Sequence, residues 1–323
     1  MSERVDVLVI GGGAAGLSGA LALARARRSV LVVDGGTPRN APAAGVHNFL
    51  TRDGAPPAEL TAAGRAEVVG YGGQVRDGWV TGAVRVDGGF EVSLADGGTV
   101  GARRLLVATG ASDELPDVPG LAQLWGTDVL HCPYCHGWEV RDQPVGILSS
   151  SAMSTHAALL WRQWTDDVTL FLHTGPEPTP EQEEQLAARG IEVVSGEVVG
   201  LETEDGRLSG VRLAGGAVVP RRALVAQTRV RAPGHLLADL GLVPEEVGMN
   251  GVVFGEVLPT GADGASPVPG VWVAGNAGDV RAQVVVAAAQ GLAAAGQINM
   301  DLVVEETRAA VAARAAAGAA GAA

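Results

Sequence analysis

The most constraining feature of this sequence is a glycine-rich turn between a short apolar run and a helical pattern near the N-terminus. The apolar run covers Val5 to Ile10, and the turn follows it directly as Gly11-Gly12-Gly13-Ala14-Ala15-Gly16. A helical pattern from Leu17 to Arg27 comes next, and a second buried strand from Val30 to Val33 ends at Asp34. Strand, helix and strand in this order, with the spacing G-x-G-x-x-G, predict a βαβ unit of the dinucleotide-binding type.

Each glycine of this spacing has a separate physical role. Gly11 permits the sharp turn, Gly13 lets the backbone approach a pyrophosphate, and Gly16 lets the helix pack on the strand. The N-terminus of the helix directs its free N–H groups at the phosphates. Asp34 is expected to accept hydrogen bonds from the ribose hydroxyls. An ordinary glycine turn does not require a strand, a helix, a second strand and an acidic residue in this order.

Composition excludes several other classes of protein. Glycine accounts for 47 of the 323 residues, about twice its usual share, but without the Gly-X-Y period of collagen. Asp and Glu outnumber Lys and Arg by 36 to 23, which gives a net charge of −13. Such a surface repels the phosphates of nucleic acids and of anionic membranes. We therefore expect neither a nucleic-acid partner nor a membrane partner.

The cysteine pair and the N-terminus indicate the compartment. Cys132 and Cys135 lie too close in sequence to staple a large fold, so we interpret the pair as chemistry rather than as a disulfide framework. The N-terminal residues lack the basic region, long apolar stretch and cleavage site of a signal peptide. A membrane-spanning helix needs an uninterrupted apolar run of about 18 residues, and no run in this sequence is that long. We expect a soluble cytoplasmic protein.

Further strands and turns extend the α/β pattern. Two glycine turns, Asp87-Gly88-Gly89 and Asp96-Gly97-Gly98, flank Phe90 to Leu94 and predict hairpins. Two later strands run into glycine turns, the first within Leu105 to Gly110 and the second within Gly270 to Asn276. Both resemble the first unit, in which a buried strand delivers the backbone to a tight turn.

The connections and the C-terminal part are less regular. We interpret Ala111 to Gly120 and Arg229 to Gly234 as linkers on either side of a second α/β region. A small-residue helix is predicted from about Gln283 to Ile298. The tail from Ala309 onward is rich in Ala and can be helical by propensity, but it has no apolar face to bury, so it is expected to fray.

These motifs together resemble the low-molecular-weight thioredoxin reductase family of flavoproteins. The residues that carry the resemblance span nearly the whole chain: the first glycine fingerprint, Asp34, Asn48-Phe49, Ala108-Thr109-Gly110, the C-x-x-C pair and Ala274-Gly275-Asn276. The resemblance implies an α/β fold with two Rossmann-like, three-layer domains. Residues 1–115 and 229–308 would form a discontinuous FAD-binding domain. Residues 116–228 would form an inserted, degenerate domain of the pyridine-nucleotide type that carries the C-x-x-C, and residues 309–323 the Ala-rich tail.

FAD is the cofactor that the resemblance implies. The residues expected to bind it follow the family's motifs at both ends of the chain: Gly11, Gly13, Ala14, Ala15, Gly16, Asp34, Gly35, Asn48, Ala108, Thr109, Gly110, Gly275, Asn276, Asp279, Ala282 and Gln283. The family usually has Asp where this sequence has Asn276. Asparagine can still hydrogen-bond the ribityl chain, so we expect flavin binding to be retained. The resemblance also implies a homodimer, and no metal is expected.

The inserted region departs from the family at its nucleotide-binding turn. Its first predicted strand, Val145 to Leu148, runs into Ser149-Ser150-Ser151, with serine at the three positions where the family has glycine. A serine side chain at the middle position would obstruct the close approach that a pyrophosphate needs. The strand from Val168 to Leu172 is followed by His173-Thr174-Gly175-Pro176, without the arginines that bind the 2′-phosphate in the family. We therefore predict that the chain does not use NADPH.

A second departure surrounds the cysteines, which stand in the run His131-Cys132-Pro133-Tyr134-Cys135-His136. The reductases have Asp after the second cysteine. The pattern found here is similar to that of the dithiol oxidase branch, whose members close disulfides in sulfur-containing natural products such as holomycin, gliotoxin and romidepsin. The resemblance implies a role in antibiotic biosynthesis, a small-molecule dithiol or thiol as substrate, and O2 as electron acceptor, giving hydrogen peroxide.

The resemblance also implies a role for each cysteine, with Cys135 next to the flavin and Cys132 facing the substrate. A substrate thiolate would attack Cys132 of the Cys132–Cys135 disulfide, and a second substrate thiol would displace it to release the product disulfide. Such exchange needs a thiolate near neutral pH, which requires a base. His136 has an ordinary pKa of about 6.5 and suits this role, but it can also be a structural histidine.

Several other interpretations stay open. C-x-x-C-H is also the attachment signature of c-type haem, which would require export. A zinc site would need His131 and His136 as further ligands, at a spacing that fits a tetrahedron poorly. Asp279 either caps the following helix or orients His136. Trp161 and Trp164, at i and i+3 on one predicted helix, belong to the core, or to a substrate pocket on a surface that NADPH has vacated.

Two other functions compete with the dithiol oxidase. One is a thioredoxin reductase that receives electrons from NADPH or from another donor such as ferredoxin. The other is a non-catalytic, flavin-bound redox sensor that retains the fold. All three share the fold and the cysteine pair, so the redox chemistry alone does not separate them.

Overall fold

The first strand–helix–strand unit forms as the sequence predicts. The computed structural model describes residues 3–249 and 251–320. Strand β1 spans Glu3–Ile10, helix α1 spans Ala14–Arg25 and strand β2 spans Val30–Asp34. The helix thus begins inside the predicted glycine turn. The two strands pair in parallel, so the turn and Asp34 meet at the carboxyl edge of one sheet.

This unit belongs to a seven-stranded sheet. The other strands are β3 (Gln74–Asp77), β4 (Val80–Val86), β5 (Gly89–Leu94), β6 (Thr99–Val107) and β19 (Val271–Val273). Their order is β3-β2-β1-β6-β5-β4, and β19 pairs in parallel with the carboxyl half of β6. The hairpins predicted around Phe90 to Leu94 are confirmed, because β4, β5 and β6 pair antiparallel in succession. Helices α2 (Pro57–Gly70) and α6 (Val284–Ala320) both pack against α1.

A second, parallel sheet occupies the middle of the chain. Its strands are β8 (Val129–Leu130), β9 (Val145–Leu148), β10 (Val168–Phe171), β11 (Glu192–Val194) and β15 (Ala223–Ala226), in the order β11-β10-β9-β15-β8. Its helices are α3 (Pro133–His136), α4 (Ser154–Trp161) and α5 (Pro180–Ala188). An antiparallel sheet of β12 (Val198–Glu204), β13 (Arg207–Leu213) and β14 (Val218–Pro220) lies between β11 and β15 in sequence. The predicted α/β class is confirmed.

The two segments that we interpreted as linkers pair with each other near their N-terminal ends, so that interpretation was wrong for the residues that form the two strands. Strand β7 spans Ser112–Glu114, β16 spans Arg229–Arg231, and they run antiparallel in a four-stranded sheet with β17 (Glu245–Met249) and β18 (Val252–Val257). The charged side chains of these segments do not simply face solvent but bind each other across the strand pair. Arg231 Nε donates to Glu114 at 3.0 Å. The chain passes between the two large sheets through this ribbon. The domain boundaries at 115/116 and 228/229 stay a prediction.

Helix α6 is much longer than predicted. The sequence suggested an end at Ile298, but the helix continues to Ala320. Buried Leu302 anchors the added turns, and Arg103 donates to Glu305 at 2.7 Å and to Glu306 at 2.8 Å. The side chains from Val303 to Ala317 are exposed. Fraying of the tail stays a prediction, and residues 321–323 lie outside the described residues.

Short 3₁₀ helices at Ala122–Leu124, Gly234–Leu240 and Gly275–Ala277 complete the elements that bear on the site. Of the two tryptophans predicted on one helix, Trp161 is the last residue of α4 and is 1% exposed, which confirms its place in the core. Trp164 lies in the turn beyond, so its helical placement was wrong. Thr165 and the two aspartates after it favour a turn over helix. In the described part of the chain, no helix is long and apolar enough to cross a membrane.

Candidate active site

One cavity of about 2350 Å³ opens at the carboxyl ends of the parallel strands. Most of the predicted site residues lie on its wall: Gly11, Gly13, Ala14, Ala15, Asp34, Gly35, Ala108, Thr109, Gly110, Cys132, Cys135, His136, Gly275, Asn276, Asp279, Ala282 and Gln283. All the predicted site residues lie in the described part of the chain, and two of them, Gly16 and Asn48, do not line the cavity. The structure therefore brings the two ends of the chain and the cysteine pair together, while the role of each residue stays a prediction.

The glycines of the first turn differ in what surrounds them. Gly11 has a φ of +105°, and a Cβ there would lie 2.3 Å from Ala108 O. A Cβ on Gly16 would lie 1.9 Å from Gly11 O. A Cβ on Gly13 would have no neighbour within 4 Å in the part of the protein that is described. Gly11 and Gly16 are thus required by the protein's own backbone, whereas Gly13 leaves space at the start of α1, where free N–H groups favour an anion.

Asp34 and Thr109 offer polar groups to the same cavity. Burial by itself would raise the pKa of Asp34, but hydrogen bonds from Arg65 (2.6 Å) and from the backbone outweigh it and lower the pKa. The carboxylate is therefore ionised at neutral pH. Thr109 Oγ1 is buried and has no hydrogen-bond partner among the described residues. A buried hydroxyl without a partner is costly, so a ligand that binds it would be stabilised.

The turn after β19 is held by the side chains of Asn276 and Asp279. Asn276 Nδ2 donates to Asp279 O at 2.9 Å and to Ala282 O at 3.0 Å, which an aspartate at this position could not do. Asp279 Oδ1 accepts from Arg281 N at 3.0 Å, and Oδ2 accepts from Gln290 Nε2 at 3.2 Å. Helix α6 begins only at Val284, so Asp279 holds the turn before the helix and, in the described chain, caps none of its backbone N–H groups. Among the described residues, no hydrogen bond joins Asp279 to His136.

The cysteine pair lies just beyond β8. Cys132 precedes the first residue of α3, and Pro133 begins that helix, where proline's missing N–H costs nothing. The two Sγ atoms are 2.6 Å apart, and Gln283 Nε2 lies 4.0 Å from Cys132 Sγ. Both cysteines are half-buried. The pair is therefore in position to form a disulfide at the wall of the cavity.

The two thiols differ strongly in acidity. The hydrogen bond from the Cys135 thiol, helped by backbone N–H groups of Cys135 and Tyr134 and by the charge of Arg39, lowers the pKa of Cys132 to about 7 against the opposing effect of burial. Donation to Cys132 and burial raise the pKa of Cys135. In the reduced pair the thiolate therefore belongs to Cys132.

Two histidines stand beside the pair as neutral rings. Burial lowers the pKa of His136, with Glu139 opposing and His47 and His131 adding to the shift. His131 lines the same cavity, where loss of solvent around its ring and the charge of Arg39 lower its pKa as well. No group of three or more His, Cys, Asp or Glu side chains within the described residues is arranged to hold a metal ion.

A loop from the first sheet touches the cysteine helix. Asn48 Nδ2 donates to Tyr134 O at 2.7 Å, from a backbone with a φ of +60° that Asn tolerates better than most residues. The neighbouring His47 lies 3.4 Å from Glu139 on one side and 3.4 Å from Asp53 on the other. Asn48 thus holds the cysteine helix in this arrangement, although the sequence suggested a contact with flavin.

Sequence reasoning missed Arg39, which binds the carboxylate of Asp113 between the two connecting strands. Its Nε and Nη2 donate to the carboxylate of Asp113 at 2.6 Å each, and Thr228 Oγ1 donates to the same carboxylate at 2.6 Å. Burial alone would raise the pKa of Asp113, but Arg39 reverses the shift and keeps it ionised. Neither Arg39 nor Asp113 stands in a recognisable motif, and 74 residues separate them, so no local signal marks the pair.

The serine turn after β9 is closed by its own side chains. Ser149 is buried, and its Oγ would lie 2.0 Å from a Cβ on Gly175. The N–H groups of Ser150 and Ser151 point to Ser154 Oγ, at 3.2 Å and 3.4 Å. The N–H groups of Ser150 and Ser151 are therefore already bound.

Comparison with known proteins assigns the family. The model of the pyridine nucleotide-disulphide oxidoreductases matches residues 5–291 of the chain. This chain belongs to that family. The prediction of a thioredoxin reductase-like fold with two Rossmann-like domains is confirmed, and the chain is a flavin disulfide oxidoreductase.

Relatives and solved structures agree with this assignment. The oxidoreductase is 33% identical to thioredoxin reductase tcpT of Claviceps purpurea, over 86% of this chain and 88% of that protein. It is 32% identical to thioredoxin reductase sirT of Leptosphaeria maculans, over 91% and 93%. The crystal structure of HlmI matches with a TM-score of 0.90 at 45% identity, covering 98% of both chains. The oxidoreductase from Agrobacterium tumefaciens matches with a TM-score of 0.87 at 33% identity, covering 93% and 99%.

FAD is the cofactor of this oxidoreductase family, and of this chain. The residues of the cavity fit the group. The space in front of Gly13 suits the pyrophosphate, the ionised Asp34 suits the ribose hydroxyls, and Thr109 Oγ1 is a buried group in need of a partner. None of the three residues that support FAD binding here belongs to the cysteine pair.

The first prediction separates the two kinds of glycine. Gly13→Ala should leave the thermal unfolding of the flavin-free oxidoreductase unchanged and weaken FAD binding at least about tenfold, because the Cβ meets no described protein atom within 4 Å and would enter the space that suits the pyrophosphate. Gly16→Ala, the matched control, should destabilise the flavin-free protein by about 1–3 kcal/mol, because its Cβ meets backbone. Unfolding by circular dichroism and FAD titration give the two readouts. Equal destabilisation by both variants would contradict this account.

The second prediction concerns the acidity of the reduced pair. Iodoacetamide should alkylate Cys132 first, because thiolates react and thiols do not. Since the pKa of Cys132 is lowered to about 7, the rate should level off above that pH and fall about tenfold per unit below it. Glutathione, with an ordinary thiol, serves as the control whose rate keeps rising towards about pH 9. Peptide mapping that finds Cys135 alkylated first, or a midpoint near that of glutathione, would overturn the assignment.

Proposed function

We propose that this chain is a FAD-dependent dithiol oxidase that forms a disulfide in a small-molecule thiol substrate, with O2 as electron acceptor and without NADPH. The observation that carries the proposal is the closed serine turn after β9. The N–H groups that such a turn would offer to a phosphate are directed at Ser154 Oγ in this chain. A pyrophosphate would have to displace that side chain.

The region after β10 supports the same conclusion. His173 stands where the family has arginine for the 2′-phosphate, and its Nδ1 accepts a hydrogen bond from Val198 N at 3.1 Å. Burial lowers the pKa of His173, so its ring is neutral near pH 7. A neutral ring whose nitrogen is already bound gives a phosphate no charge partner.

The cysteine pair supplies the exchange chemistry. A substrate thiolate attacks Cys132 Sγ of the disulfide, the Cys132–Cys135 bond breaks, and Cys135 leaves as a thiolate that takes up a proton. The second substrate thiol then attacks the substrate sulfur of the mixed disulfide, and Cys132 leaves as the product disulfide forms. A low pKa makes Cys132 a good leaving group. The substrate has lost two electrons and two protons, and the enzyme holds a dithiol.

His136 is the group placed to accept the substrate's proton. Its ring is half-buried on the cavity wall, and its lowered pKa leaves it neutral near pH 7. Neutral imidazole can take a proton from a thiol, and a positioned base of this kind contributes about 10²–10⁴-fold to a rate. FAD, when bound, supplies the acceptor for the two electrons and passes them to O2, which gives hydrogen peroxide.

The arrangement of the cysteine helix supports turnover without a large domain rotation. Reductases of this family must present the flavin alternately to the cysteines and to NADPH, whereas an oxidase needs one arrangement. Asn48, in the first sheet's loop, binds Tyr134 O in the cysteine helix, and His47 lies near Glu139, just beyond that helix. We propose that these contacts persist through the catalytic cycle.

A thioredoxin reductase is the second candidate. It is favoured by the names of the relatives from Claviceps purpurea and Leptosphaeria maculans. The flavin-bound redox sensor has no such observation in its favour. Homodimer formation, the cytoplasmic location and the link to antibiotic biosynthesis stay proposals that rest on the resemblance.

The third prediction tests the oxidase. With dithiothreitol and without NADPH, the flavin-loaded protein should consume O2 and produce one hydrogen peroxide per disulfide formed. Cys132→Ser should abolish this activity, because no exchange can begin. His136→Asn should lower the rate at neutral pH by about 10²–10⁴-fold. The matched control is His156→Asn, since His156 is exposed on α4 and outside the cavity, and it should keep the full rate.

An oxygen electrode and a peroxide assay give the measurements. O2 uptake that survives in Cys132→Ser would show that free flavin, and not the cysteine pair, oxidises the thiol. No O2 uptake by the unmodified protein, together with reduction of thioredoxin, would replace the oxidase by the reductase.

A further inference from the structure

Gln227 occupies a special place at the carboxyl edge of the five-stranded sheet. It follows β15, which pairs in parallel with β8 on one side and with β9 on the other. The cysteine loop follows β8, and the serine turn follows β9, so Gln227 lies between them. Strand β9 has β10 on its other side, and ligands of open parallel sheets bind where the strand order reverses in this way.

The backbone on both sides of Gln227 is fixed. Ala226 O lies 3.4 Å from His131 Nδ1, next to the cysteine pair. Thr228 Oγ1 donates to Asp113 at 2.6 Å. Gln227 therefore has a defined position relative to Cys132, in contrast to a residue on a free loop.

The side chain of Gln227 is oriented by Ser151. Met153 N donates to Ser151 Oγ at 3.2 Å, and Ser151 Oγ in turn donates to Gln227 Oε1 at 2.6 Å. The amide oxygen is thus occupied, and the amide nitrogen is turned away from Ser151. Among the described residues, Gln227 Nε2 has no hydrogen-bond acceptor and is not a buried atom. Gln227 lines the same cavity as Cys132.

We propose that Gln227, oriented by Ser151, binds a carbonyl oxygen of the thiol substrate; this inference rests on the dithiol oxidase proposed above. Its Nε2 offers two N–H donors and no charge, which suits an amide or ketone carbonyl better than a carboxylate. Trp125 and Met153 line the same cavity and offer apolar surface beside it. The substrate class is therefore a small thiol that carries a carbonyl group within reach of its sulfur.

The experiment compares two probes that differ in carbonyl content. N-acetyl-Cys-Gly-Cys-amide carries amide carbonyls, and 1,4-butanedithiol carries none. Gln227→Met keeps the length of the side chain and removes both donors. It should lower the ratio of kcat/KM for the peptide to kcat/KM for butanedithiol about five- to tenfold, through KM, as expected for one neutral hydrogen bond. Ser151→Ala should lower the ratio in the same direction, because the amide loses its orientation.

The matched control is Gln163→Met. Gln163 is exposed in the turn after α4 and lies outside the cavity, so the ratio should not change. An equal loss for both probes in Gln227→Met would reduce Gln227 to a structural link between β15 and the serine turn. An unchanged ratio, or a loss of bound FAD, would also overturn the inference.

A binding measurement keeps this inference separate from the proposed function. The S-methylated form of the same peptide cannot be oxidised, and its binding to the flavin-loaded protein can be followed by calorimetry. Gln227→Met should weaken its binding about five- to tenfold. Suppose that the unmodified protein oxidises neither dithiol but binds the methylated peptide more tightly than Gln227→Met does. The proposed oxidase activity is then wrong, and the proposed recognition by Gln227 stands. If the methylated peptide binds both proteins equally, or neither, the recognition is wrong.

Discussion

The arrangement of the active site depends on the bidentate contact between Arg39 and Asp113. The chain passes between its two large sheets through β7 and β16, and Asp113 lies in the first of these strands. Thr228, at the entry to the second, donates to the same carboxylate. The carboxylate of Asp113 therefore joins both crossings, and Arg39 neutralises its charge. Asp113 is 7% exposed, and breaking such a buried pair leaves an uncompensated charge, a loss of about 3–5 kcal/mol in other proteins.

The placement of the chemistry follows from this ribbon and from the direction of the strands. Parallel strands deliver their loops to one edge, so the glycine turn, the late turn at Asn276 and the cysteine loop each come from the carboxyl end of a strand. The ribbon sets these edges against one cavity. Arg39 also contributes to the electrostatics, because its charge favours the thiolate of Cys132. The same residue thus connects the fold to the acidity of the redox pair.

The sequence predicted the parts of the site that are local in the chain. The glycine turn, Asp34 and the C-x-x-C each carry their physical reason within a few residues, and the structure brings them to one cavity. The sequence did not predict Arg39, because its partner is distant and the two residues have no shared pattern. The paired linkers were missed for a related reason, since β7 is three residues long and finds its partner more than a hundred positions later. Ion pairs from Arg103 to Glu305 and Glu306 hold the part of α6 just beyond its predicted end, and helical periodicity does not reveal such distant partners.

In the proposed reaction, electrons enter from a dithiol through the cysteine pair and do not enter from NADPH. Anaerobic rapid mixing tests this most directly, with the flavin's visible absorption as the signal. A dithiol should bleach the flavin through Cys132, and NADPH at the same concentration should leave the absorption unchanged until the dithiol is added. Bleaching by NADPH as fast as by the dithiol would contradict the claim, because the closed serine turn would then not exclude the nucleotide.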